Sequence, residues 1–161
     1  MSTLKEEMVF YPAVAVPVLK NVAVEPFYVE LSDLMGVPVT SPKDLFKLTL
    51  FGISPQVVNR LVDLGHGILD IEMVMPRRTL SHRQNKKENL TSDETGRTIR
   101  VAKVVALATQ VFGGREKALR WLNRTHPVLD EFFTPLGLCR SEEGALLVLD
   151  HLNAVDHGFA A

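Results

Sequence analysis

The sequence predicts an all-α, mainly helical fold with an irregular or short-strand arm at its N-terminus. Three observations predict it. From residue 41 onward, cap–proline starts and glycine stops recur, as in "SPKD" and "SPQVVNRLVDLG". A capping box, "TSDE", precedes the long apolar-rich run "TGRTIRVAKVVALATQVFGG". Residues 1–40, by contrast, are rich in valine and interrupted by Pro12, Pro17, Pro26 and Pro38. Prolines that frequent oppose a long helix and confine strands to edges, so this stretch reads as an extended arm. Such an arm can pack on its own domain or pair with a second copy of the chain.

Each element follows from its own punctuation. Ser41 caps a helix opened by Pro42, with Asp44 in its first turn, and "DLFKLTLF" carries it to Gly52. Ser54 and Pro55 start the next, whose Val57, Val58, Leu61, Val62 and Leu64 line one side before Gly65 stops it. "ILDIEMVM" is a short apolar run that periodicity cannot assign. Pro76 then restarts the chain as "PRRTLSHRQ", followed by the loop "QNKKEN". Thr91 and Glu94 form the capping box of the central helix, which is apolar on most sides and ends at Gly113 and Gly114. "REKALRWLNRT" places Ala118, Leu119, Trp121 and Leu122 inward and Arg115, Lys117, Arg120 and Arg124 outward. "HPVLDEFF" reads as a loop, Thr134 caps a turn at "PLGLC", and Ser141 caps the last helix, which stops at Gly158.

Composition narrows the function. A chain of 161 residues, 46% hydrophobic and 23% charged, can bury a core as one ordinary domain or two very small ones. Its single cysteine, Cys139, excludes an intramolecular disulfide and a cysteine-pair zinc site, and fits a reducing, cytoplasmic setting. The opening "MSTLKEEMVF" lacks the pattern of a signal peptide, and the apolar runs fall short of the ~18 residues of a membrane helix. The net charge of −1 conceals a division: residues 76–90 hold five bases and one acid, whereas residues 128–161 hold six acids and one base. That division implies two surfaces with different partners, or scattered charge on a neutral protein.

The basic stretch has the chemistry of a helix that enters a DNA groove. Arg77, Arg78, Thr79, Ser81, His82 and Arg83 supply donors for bases and phosphates, Leu80 anchors the helix inward, and Lys86 and Lys87 suit phosphates. A solvated basic face beside an acidic partner accounts for the same residues, and "IEMVMP" lacks the glycine common in helix-turn-helix turns. The other chemistry is sparse. His66 lies in a turn and His126 precedes Pro127. Asp150 and His157 can share a helix face, but no third metal ligand is near. Cys139 sits in an apolar turn, and no phosphate loop, nucleophile elbow or zinc-protease motif is present. These residues predict neither an enzyme nor a bound cofactor. The chain end "DHLNAVDHGFAA" offers an acidic helix tip and Phe159, which can fray or can plug a cleft on another protein.

The segments "PRRTLSHR", "LTSDETGRTIRVAKVVALATQVFGGREKALRWLNRTHPVL" and "TPLGLCRSEEGALLVLDHLNAVDHG" together resemble the MbcA/ParS/Xre antitoxin family in order and spacing, over about residues 45–158. The resemblance implies an antitoxin of a bacterial type II toxin–antitoxin system, paired with a RES-domain toxin that consumes or transfers from NAD. It implies an Xre-like helix-turn-helix region at 41–90 and a toxin-binding domain at 91–161, beyond the arm at 1–40, which can serve dimerisation by strand pairing. It also implies operator binding through the basic helix and a homodimer within a larger toxin–antitoxin complex. The toxin-facing residues it implies are Thr134, Pro135, Leu136, Glu143, Gly144 and the terminal helix, within which the residues themselves single out the apolar Leu146, Leu149 and Leu152, the polar Asp150, Asp156 and His157, and Phe159 at the tip. The other expectation compatible with the basic helix is a stand-alone transcriptional regulator. The sequence departs from the family pattern at Gly96, where a helix former is usual, and at "LDEFFTPLGL", which replaces a glycine-rich turn.

Overall fold

The computed structural model describes residues 24–158, and among these the chain is helical with no strand beyond one isolated bridge between His126 and Asp130. Residues 1–23 of the arm, and Phe159 with the two alanines after it, lie outside the described residues. The elements are α1 (Pro26–Met35), α2 (Pro42–Phe51), α3 (Gln56–Leu64), α4 (Ile71–Val74) and α5 (Arg77–Lys86). They continue as α6 (Ser92–Phe112), α7 (Arg115–Leu122), α8 (Pro135–Leu138) and α9 (Glu142–Asp156).

The arm expected over residues 1–40 is corrected at α1. Pro26 stands in the first helical turn, where its missing N–H leaves no intrahelical bond unmade. Pro38 lies beyond the left-handed Gly36 that stops the helix. Between them Leu31, Leu34 and Met35 bury one face. Spacing of the prolines, rather than their number, decides this segment.

α6 is the axis of the fold. Its capping box is formed, with the Thr91 side chain accepting from the Glu94 amide and Glu94 accepting from the Thr91 amide at 2.8 Å. From Thr95 to Ala108 it is buried on most sides, with α1, α2, α4, α7 and α9 packed around it. Two buried threonines stay satisfied: Thr98 donates to the Glu94 carbonyl and Thr95 accepts from the Ile53 amide. Gly52 lets the chain pass the next segment closely, because a Cβ there would collide with the Leu90 carbonyl.

Charge ties the first half to the second. Arg115, expected to face outward, instead reaches α1, donating to Glu30 and to Asp33, each at 2.7 Å. Asp33 also accepts from Arg60 of α3 at 2.9 Å. The Arg115 hydrogen bond, more than any other influence, holds the Asp33 carboxyl below its usual range.

Candidate functional site

Two surfaces carry the residues singled out by sequence. The first is α5. Proline at 76 sets its start and a left-handed Lys87 (φ 52°) ends it, so Lys86 and Lys87 close a helix rather than lie in a flexible loop. Leu80 is the only buried residue of α5, which leaves the helix standing on the surface. Arg77 is held by both Asp70 oxygens at 2.8 Å, and its backbone amide donates to Glu72. Arg83 donates to Glu94 of α6 and to Glu88, each at 3.0 Å at closest. These carboxylates raise the Arg83 pKa. Burial pushes Glu94 up, but the Thr91 amide and Arg83 together bring it below its usual range.

Two of the expected DNA contacts, Arg77 and Arg83, are therefore committed to carboxylates within the chain. Thr79 is half-buried. Arg78, Ser81 and His82 are exposed at spacings of three and four, with Lys86 and Lys87 exposed at the helix end. Asn85 extends that same exposed row and was not singled out by sequence; its spacing from Ser81 was the available signal.

The second surface lies between α7 and α9. Thr134 caps α8 by accepting from the Gly137 amide, and Pro135 and Leu136 are buried beneath it. Gly144, in the first turn of α9, lies against the Leu138 carbonyl, where a Cβ would collide. Leu152, expected to meet a partner, is fully buried against the core, as are Ala145 and Val148. It faces inward because 145, 148 and 152 form the helix stripe that packs on α6. Glu143, Asp150, Asp156 and His157 are exposed.

α9 shows leucines on two sides. Leu146, 53% exposed, and Leu149 line a groove shared with α2. Leu147, 55% exposed, shares a face with His151, four residues on. His151 lies parallel to Trp121 with ring centroids 5.9 Å apart. Trp121 stacks in turn on His126 at 4.4 Å, and the His126 Nε2 meets the Trp121 carbonyl at 2.8 Å. The loop after α7 is thereby fastened beside the Leu147 face.

That loop exposes Val128 (75%), Phe132 (83%) and Phe133 (52%). Its tip is held by Asp130, whose Oδ1 accepts from the amides of Phe132 and Phe133 at 2.7 and 2.8 Å. Reading "HPVLDEFF" only as a loop missed these residues and Leu147. Three large apolar side chains in a segment with no helical stripe to join were the signal. Exposed apolar clusters of this kind mark interaction sites.

The remaining candidates are chemically quiet. Cys139 is buried, donates to the Pro135 carbonyl, and has its thiol pushed up to about 12 by burial. No cluster of metal-ligating side chains and no helix able to cross a membrane occurs among the described residues.

Residues 107–158, which contain this second surface, match the family described as the antitoxin Xre/MbcA/ParS C-terminal toxin-binding domain. An antitoxin Xre of Pseudomonas putida is 32% identical over 88 residues, a stretch spanning 55% of each chain. An antitoxin Xre of Photorhabdus laumondii is 29% identical over 132 residues, 79% of this chain and 88% of the relative. Another of Yersinia enterocolitica is 28% identical over 129 residues, 77% of this chain and 86% of the relative. The family match falls on the half of the molecule with the exposed apolar loop, and the longer alignments take in most of the fold. The chain is thus similar to antitoxins of the Xre/MbcA/ParS family over most of its length, and its residues 107–158 match that family's toxin-binding domain.

Proposed function

We propose that this protein is an antitoxin that neutralises a RES-type, NAD-consuming toxin by covering its active-site entrance with the C-terminal half, and that it represses its own operon through α5. The observation that carries the reading is the exposure of the apolar loop residues Val128, Phe132 and Phe133, and of Leu147 on α9, inside the matched toxin-binding domain. Aromatic anchors of this kind supply most of the energy of an interface. Glu143, Asp150 and Asp156 place negative charge around it, complementary to a cleft that holds a pyrophosphate. His157, exposed at the end of α9, extends that edge. Thr134, Pro135 and Leu136 act from beneath, by fixing where the loop enters α8. Leu152 acts by seating α9 on α6.

For DNA, the row Arg78, Ser81, His82 supplies base-edge donors, with Lys86 and Lys87 on phosphate. Arg77 and Arg83 set the pose of α5 through their carboxylate partners. The homodimer and an intracellular site of action belong to the same proposal.

Co-expression with a candidate toxin tests the main reading. The intact chain should co-elute with the toxin and restore growth, and the double variant Phe132→Asp, Phe133→Asp should do neither while folding normally. Intact protection by that variant would remove the loop from the interface. Operator binding without any toxin complex would favour the stand-alone regulator.

A further inference from the structure

A groove of about 420 Å³ runs between α2, α6 and α9, and no residue of the apolar loop lines it. Phe46 of α2 and Leu146 of α9 stand on its two walls, 65% and 53% exposed. Leu50, four residues after Phe46 on the same face of α2, is 61% exposed. Large apolar side chains gathered at one place on a surface mark a contact with another molecule.

The charges of the groove point to its occupant. The lining holds two acids, Asp93 and Glu142, and two bases, Arg100 and Lys103. None of the four forms an ion pair among the described residues. The groove is neutral as a whole and carries both signs, which favours neither a strongly acidic nor a strongly basic partner. A surface that pairs with itself has this composition. In a two-fold contact every meeting of residue i with residue j occurs again as j with i, so acids and bases of one chain can satisfy each other.

The order of residues along α6 fits such a contact. Asp93, Gly96, Arg100 and Lys103 follow at spacings of three, four and three, which puts them on one stripe of the helix. The spacing is the same from either end, and the stripe rises roughly 15 Å. Turned end for end about its midpoint, it sets Asp93 against Lys103 and Gly96 against Arg100. Gly96 has nothing within 4 Å of where its Cβ would stand, so crowding within the described fold does not require glycine there. A better helix former would fit, and the bare backbone leaves room for a side chain from outside. We infer that two copies of the chain associate through this groove, about a two-fold axis at the middle of the α6 stripe. Asp93 and Lys103 meet across it twice, Arg100 passes over Gly96 of the other copy, and Phe46 and Leu146 are covered between the two. The inference rests on the homodimer proposed above and assigns its interface.

Sedimentation equilibrium of the full chain tests the inference. The parent should be dimeric at micromolar concentration, and Phe46→Asp should weaken the dimer by about tenfold or more with an unchanged circular dichroism spectrum. Asp93→Lys leaves a base at both ends of the stripe and Lys103→Asp leaves an acid at both ends. Each variant alone should therefore associate about tenfold more weakly than the parent. Mixed in equal amounts, the two should recover the parent affinity, because every end then meets its opposite, whereas a folding defect is not repaired by mixing. Single variants that weaken and do not recover on mixing would exclude the two-fold arrangement and overturn the inference. A dimer untouched by all three substitutions would overturn this interface and leave the homodimer standing. A parent chain that stays monomeric would overturn both. None of these readouts involves a toxin, so they stand apart from the test of the loop.

Discussion

α5 and α9 are both surface helices, and they are held to the molecule in opposite ways. α5 buries one residue, Leu80, and is positioned by carboxylates at its two ends, through Arg77 to Asp70 and Arg83 to Glu94. α9 buries a continuous stripe through Val148 and Leu152 and still exposes two leucines. At the Arg77–Asp70 end, α5 can be displaced or retuned at modest cost, because exposed ion pairs contribute little. A helix held by packing cannot move without opening the core. The proposed partners fit that difference: salt-sensitive phosphate contacts for α5 and an apolar, shape-dependent interface for the surface beside α9.

The largest expected effect breaks the comparison at its packed end. Leu152→Ala removes a fully buried side chain between α9 and α6 and should cost about 2–5 kcal/mol of stability, read as a lower denaturant midpoint. Toxin and DNA binding should then fall together. Loss of toxin binding alone, with stability unchanged, would mean that Leu152 contacts the partner directly.

Next comes the exposed cluster. Phe132→Asp with Phe133→Asp should leave the unfolding free energy within about 0.5 kcal/mol of the parent, read by denaturant titration. It should weaken toxin binding by about 2 kcal/mol or more, roughly thirtyfold, in titration calorimetry. Operator binding should be unaffected.

At α5 the expected effects are smaller and unequal. Arg78 has no ion pair among the described residues, whereas Arg77 is held by Asp70. If α5 reads bases, Arg78→Ala should cost about 1–3 kcal/mol and relax preference at one base pair. Arg77→Ala should weaken all sequences alike and leave the preference intact. Binding assays on operator and scrambled duplexes distinguish the two, and equal loss of preference in both variants would show that Asp70 releases Arg77 on DNA.

The helices from Pro42 onward were legible because their signals are local. Ser41, Thr91, Thr134 and Ser141 each accept from an amide three residues on, as their positions before the helices predicted. α1 was hidden because Pro26 and Pro38 were counted as breakers when they bracket a helix. The candidate surfaces were harder to read. "ALLVL" is apolar almost all round, so which of Leu146, Leu147, Leu149 and Leu152 faces the core depends on where α6 lies, and α6 is set by contacts distant in sequence. The same holds for Arg83 and Arg115. Both read as outward bases, yet their partners, Glu94 and Glu30, are 11 and 85 residues away.

The smallest expected effect probes the joint between the two regions. Asp33 on α1 accepts from Arg60, in the half that carries α5, and from Arg115, in the half that carries α9. Its pKa is lowered, first by the Arg115 hydrogen bond, so the native state binds a proton less readily than the unfolded chain. That contribution is fully present above the ordinary aspartate range near about 3.9 and is lost as pH falls through the lower native value. Because Asp33 is half-exposed, solvent screening limits each pair to about 1 kcal/mol or less. Asp33→Asn should therefore melt slightly below the parent at neutral pH, and the gap should close as both are acidified below about pH 4. A gap that stays constant in acid would mean that the asparagine disturbs packing and that charge contributes nothing there. If operator and toxin affinities hold steady while the melting gap appears, Asp33 fastens the halves together without passing information between them.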